Sequence, residues 1–347
     1  MRCGSSVRGN RRWPSVGLPV LRRRELSDRD LLVSEGFFSG SATSSHQSFF
    51  VPLLVHLGIG GTALGIFSAF NGLLANVSGL AGSRVARGLP NRRALAALAS
   101  GLGRGLFFVI ALLLLLGGDA TSTVLLMALA LLSATFIGLG LPSVTTMVAD
   151  AVETRHRGSF FANRLLASGI GAAFVTLGVA AVLRLLEPPS GFTVAYVVAG
   201  VAGLGSVFCL LRLRAEHGPT PATAVLEPTR RRHAPVSPLM RRYAVATFIL
   251  WFGAAMVAPV LTPFILNDLG ASPSFIGLQG ALSAVIAIGC QRWWGRRVDR
   301  YGSFGVLLVC TVAVAMLPPL YAVAPTYWFG LGYEVLASIG WSGYALG

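Results

Sequence analysis

A few side chains capable of chemistry lie inside long apolar runs, where an ionisable group costs roughly 2.5–3.5 kcal/mol at a helix centre and is a functional candidate by default. Arg104, in GLGRGLFF, and Glu334, in WFGLGYEVLAS, each fall near the middle of such a run. A guanidinium there offers a fixed positive charge, to an anionic solute or to an acid on another helix. A carboxyl group shielded from water is suited to taking up and releasing protons, or else is a hydrogen-bonded core residue. Glu35 lies near the start of the first run, where a solvated interfacial charge is the simpler expectation. The same run contains SGSATSSHQS, and a helix that polar faces a wet cavity rather than lipid. His46 and Gln47 are its candidate cavity groups, and His46 is also able to exchange protons near neutral pH. Asn71 is a further candidate of this type, with Asn76 and Gln279 behind it.

The chemistry that is missing narrows the function. All 28 basic residues are arginine, so no P-loop lysine exists to grip a nucleotide phosphate. The five histidines are scattered at 46, 56, 156, 217 and 233, with neither HExxH nor GxSxG, so an enzyme is not expected. Cys3, Cys209, Cys290 and Cys310 show no CxxC spacing, so neither a zinc site, a disulfide framework nor another cofactor is expected. The net charge of +15 suggests nucleic acid only until the arginines are located. They occupy short gaps between apolar runs rather than one polar face, which is the pattern of a membrane protein.

The elements that must position these groups are therefore transmembrane helices. The chain has 347 residues, 54% hydrophobic and only 12% charged, against about 25% charged in soluble domains. Mean hydropathy is +0.70. Spanning a bilayer takes about 20 mainly apolar residues. About ten such segments are expected, near 31–55, 61–83, 94–116, 121–147, 160–183, 192–212, 243–266, 274–294, 303–323 and 326–346. Arginines crowd the N-terminal tail and the even-numbered gaps, whereas Asp119, Glu187 and Asp268 occupy odd ones. The positive-inside rule then places both termini in the cytoplasm of a multi-pass plasma-membrane protein. The tail lacks an apolar core of its own, so no cleaved signal peptide is expected. The chain divides into a basic tail (1–29), six spans (30–213), a Pro-rich cytoplasmic loop (214–242) and four spans (243–347).

An internal repeat ties the two sets of spans together. Pro52 through Leu57, Gly58 and Gly65 to GSRVAR parallels Pro263 through Leu269, Gly270 and Gly277 to GRRVDR. The last glycine stands 17 residues before Gly82 in one copy and 18 before Gly295 in the other. The second copy carries G-x-x-x-D-R-x-G at Gly295, Asp299, Arg300 and Gly302. The first keeps Gly82, Arg84 and Arg87 but has Ala86 for the acid. After the fourth span, Asp150 precedes Arg157 and Gly158.

On these motifs the chain, from about residue 30 to its end, resembles a major facilitator superfamily transporter. The resemblance implies an all-α helical bundle of two pseudo-repeated halves, with about ten of an expected twelve helices present. It implies that the Gly295–Gly302 motif is a cytoplasmic latch stabilising one state of an alternating-access cycle. Topogenic charge is the plainer alternative. In the first half, Arg84 or Arg87 is expected to pair with Asp150. The expected function is secondary transport of a small molecule, coupled to protons, with efflux favoured over uptake, by a monomer in the bilayer. A fragment, a non-transporting receptor or, less readily, a lipid-modifying enzyme are the alternatives.

Overall fold

The computed structural model describes residues 27–89, 91–116, 120–150, 157–213, 238–301 and 303–346, and every described element is helical. The first six helices are α1 (Asp28–His56), α2 (Gly61–Gly88), α3 (Arg92–Leu116), α4 (Ala120–Asp150), α5 (Arg157–Leu185) and α6 (Ser190–Arg212). The remainder comprises α7 (Pro238–Pro263), a π turn (Phe264–Asp268), α8 (Pro273–Tyr301), α9 (Ser303–Ala315), α10 (Leu317–Ala322) and α11 (Phe329–Leu346). The ninth expected span is thus two helices, parted where Pro318 and Pro319 withhold two backbone donors. Among the described residues, eight stretches are long and apolar enough to cross a membrane, counting α9 and α10 as one. The polar α1 and the 18-residue α11 are not among them, but both pack into the bundle.

Local chemistry sets where the repeated helices begin and end. Ser27 and Asp30 form a capping box at the start of α1: the Ser27 hydroxyl accepts from the Asp30 N–H and the Asp30 carboxylate from the Ser27 N–H, both at 3.3 Å. At its other end Gly58 takes φ +81°, and Ile59 N–H and Gly58 N–H donate to the carbonyls of Leu54 and Val55, each at 3.0 Å. This is a Schellman ending, and it needs a residue without a Cβ. Gly270 (φ +68°) is the other described glycine with positive φ, so the two repeat-related glycines share one backbone role. The second copy has one more residue between its proline and its glycine, and the π turn takes it up. Leu269 N–H reaches back to Phe264 and Ala271 N–H to Ile265, at 3.1 and 3.0 Å.

In the first six helices, α1 lies against α5 and α6, α3 against α4 and α6, and α2 against α4. Their apolar core falls into two layers. One contains Phe49, Leu53, Phe67, Phe107, Ile110, Val179 and Tyr196. The other contains Leu31, Leu32, Ala96, Ala97, Phe160 and Leu210. On each of α1, α3, α5 and α6 there is a gap between the layers, and polar residues fill it. Beyond these helices, α8 is the bridge, packed on α5 and on α11. A Cβ at Gly277 would lie 2.7 Å from the Ala180 methyl and 2.8 Å from the Phe49 ring, so α8 meets α5 and α1 at glycine-width separation.

Candidate functional site

The gap between the two core layers holds the two buried charged groups of the first six helices, Glu35 and Arg104, with Arg164 beside them. Glu35, 1% exposed, comes from α1, Arg104, 5% exposed, from α3, Arg164 from α5 and Ser206 from α6. Arg164 Nη2 donates to Glu35 Oε2 at 2.5 Å. The Ser206 hydroxyl donates to Glu35 Oε1 at 2.9 Å and itself accepts from Arg104 Nη1. Arg104 Nη2 donates to Ser39 Oγ at 2.6 Å. Two guanidiniums therefore share one carboxylate, Arg164 directly and Arg104 through a hydroxyl. The Nε atoms of both arginines are buried without a partner.

This corrects one expectation. Glu35 is no solvated interfacial charge, because α1 begins seven residues before it, α5 begins seven before Arg164, and the two side chains meet at that depth. Arg104 reaches Glu35, an acid on another helix, through the Ser206 hydroxyl. Sequence reasoning missed Arg164, read only as loop charge, and Ser206. The available signal was equal depth from helix ends on the same side of the bundle.

His46 lies above this layer, half-buried, with Nδ1 3.2 Å from the Tyr196 hydroxyl. Its ring stacks on Phe107 at 5.0 Å and leans on Phe50 at 5.1 Å. The neighbouring Ser45 hydroxyl donates to the Ala195 carbonyl at 2.9 Å. Gln47 is exposed. Phe67 meets Phe50 at 5.0 Å, so the next turn of α2 brings Asn71 to the depth of His46, and Asn71 Oδ1 is buried without a partner. Asn76 instead donates to the Gly72 carbonyl of its own helix at 2.8 Å.

Glu334 belongs to a separate cluster on α8, α10 and α11. Its carboxylate has the Ser283 hydroxyl as hydrogen-bond partner, and no ion pair to it occurs among the described residues. Ser283 also bonds Ser338 at 2.8 Å. Gln279 Nε2 donates to the Tyr321 hydroxyl at 3.3 Å, and the Tyr321 and Tyr333 rings meet edge to face at 4.2 Å. Gln279, a second-rank candidate, thus stands beside the first-rank one. No group of three potential metal ligands occurs among the described residues.

The loop motifs are partly described. Gly302 lies outside the described residues, as do the side chains of Asp150, Arg157 and Asp299 and the surroundings of Gly158, so the expected Arg84 or Arg87 pair with Asp150 lies outside them too. Arg84 and Arg87 are exposed. Arg300, also exposed, stands 5.3 Å from the Tyr301 ring centre, and Arg297 lies 3.5 Å from that of Trp293. The repeated glycines differ. A Cβ at Gly82 would run into the Leu139 carbonyl oxygen of α4, whereas one at Gly295 would meet nothing within 4 Å.

Comparison with known proteins bears on this arrangement. The family model described as Major Facilitator Superfamily matches residues 33–346. The sugar efflux transporter A of Escherichia coli (strain K12) is 30% identical over 74 residues, 21% of this chain, and the matched stretch spans only 19% of that relative. A D-xylose–proton symporter structure is similar with a TM-score of 0.65 at 16% identity, covering 90% of this chain and 79% of its own. A nucleoside transporter follows at 0.63 and 13%, covering 92% and 81%. A peptide transporter in complex with sulfate gives 0.64 and 15%, covering 92% and 80%.

Proposed function

The chain belongs to the Major Facilitator Superfamily, a multi-pass membrane family of secondary transporters, and from that premise we propose that it exports a sugar-like solute in exchange for protons. Glu334 carries this reading. It is a carboxyl six residues into α11 with a neutral hydroxyl partner and no ion pair among the described residues, so its charge is free to change during a cycle. Glu35 is the contrast, paired with Arg164 and hydrogen-bonded by Ser206. Around Glu334, an amide (Gln279) and two phenols (Tyr321, Tyr333) offer the mix of donors, acceptors and ring faces that neutral polyhydroxylated solutes use. The sugar efflux relative and the D-xylose–proton symporter support that class.

The proposed architecture has two halves, 30–213 and 243–347, rocking about a central path in the plasma membrane, with the N-terminus cytoplasmic and one chain as the working unit. His46, Gln47 and Asn71 face that path from the first half. Asp150, Arg157, Gly158 and the Gly295–Gly302 motif latch its cytoplasmic end. The test is D-xylose movement in proteoliposomes under an imposed pH gradient. Wild type accumulates the sugar against its gradient, and Glu334→Gln keeps equilibrium exchange but loses accumulation. Absence of any xylose movement would refute the substrate class, and gradient-driven accumulation by Glu334→Gln would remove its proton role.

A further inference from the structure

Two features of the polar layer are unexplained by solute binding. Its Glu35 and Arg104 are buried while the Arg164 side chain stays 19% exposed, and it joins the helices that touch the other part of the bundle. The stems of both arginines lie against helix backbone: a Cβ at Gly203 would come within 2.7 Å of Arg104 Cβ, and one at Gly36 within 2.7 Å of Arg164 Cγ. Apolar layers close it from both sides along α1, α3, α5 and α6. Burial of Glu35 and Arg104 strengthens the charge interactions they make. Arg164 and Glu35 also sit on the two helices that α8 contacts. Gly169 and Thr176 of α5 face Ile288 and Gly280, and Ser48 and Phe49 of α1 face Gly280 and Gly277.

We infer that Glu35, Arg164, Ser206 and Arg104 form an interhelical clamp that makes α1, α3, α5 and α6 move as one body against α8. They are positioning residues and touch no solute. The inference takes its purpose from the transport reading above and its existence from the geometry. A carboxylate held between two cations cannot let α1 slide on α5 without stranding charge out of water, so sliding is suppressed and rocking of the whole unit remains.

The full chain in proteoliposomes, with D-xylose exchange as probe, tests it. Arg164→Met and Gly203→Ala lower the maximal exchange rate about tenfold while the half-saturating xylose concentration stays within about twofold. The Gly203 variant changes no charge and only displaces the Arg104 stem. Arg164→Lys, which keeps the charge, and Gly105→Ala, whose Cβ meets nothing within 4 Å, keep the wild-type rate. A wild-type rate in Arg164→Met overturns the clamp, and so does a raised half-saturating concentration at unchanged maximal rate. If wild type exchanges no xylose, the transport reading fails separately. Hydrogen exchange without solute then decides: Arg164→Met raises amide exchange about tenfold in all four helices together. A rise confined to α5, or no rise, overturns the inference.

Discussion

His46 illustrates how a single polar residue in an apolar setting is used before any function is assigned to it. Its imidazole lies between the rings of Phe50 and Phe107 with Nδ1 on the Tyr196 hydroxyl, and Tyr196 is among the largest side chains with almost no exposure. Removing that hydroxyl by Tyr196→Phe leaves the rings in place and strands one imidazole nitrogen, at a cost of about 1 kcal/mol. Thermal unfolding in detergent reads this as a lowered Tm, and an unchanged Tm would show that water takes over the bond. The sequence pointed to Arg104, Glu35, His46 and Glu334 because each stands out against apolar neighbours. It hid Arg164 because an arginine seven residues past a loop reads as topogenic charge, and it hid Ser206 and Tyr196 because hydroxyls are common in such helices. Partnership between helices is a matter of depth and facing, which a single run does not display.

Helix boundaries were more legible, because glycine and proline act through the backbone. The Pro52–Gly58 and Pro263–Gly270 repeats announced paired endings, and both glycines adopt the left-handed conformation. Gly58→Ala and Gly270→Ala are each expected to cost roughly 1–2 kcal/mol, measured as loss of stability of the purified chain, since the position penalises any Cβ. The repeat misleads at the loop motif. Gly82 is required by contact with the α4 backbone, while Gly295 has open space around it. Gly82→Ala therefore destabilises by about 2 kcal/mol through overpacking. Gly295→Ala is neutral or stabilising by up to about 1 kcal/mol, from helix propensity. Equal losses at the two positions would contradict the packing described. The extra residue in the second copy was visible as a spacing of 7 from Pro263 to Gly270 against 6 from Pro52 to Gly58, but a π turn as its resting place was not.

At the scale of the molecule, composition and the lengths of the apolar runs pointed to a helical membrane bundle and its spans, while helix neighbours came only from the structure. That α8 bridges α5 and α11, and that α1 and α5 share one ion pair, follows from packing of small faces that many helix pairs in this glycine-rich chain offer. The proposal separates two carboxylates: Glu35, paired with Arg164, is assigned to hold helices together, and Glu334 to carry the proton. Proton movement itself is the most direct measurement. A pH-sensitive dye trapped in proteoliposomes, with no imposed gradient, follows the lumen when D-xylose is added outside. The account predicts a sugar-dependent pH change for wild type and for Arg164→Lys, and none for Glu334→Gln. An undiminished pH change in Glu334→Gln, or sugar movement in wild type without any pH change, would contradict it.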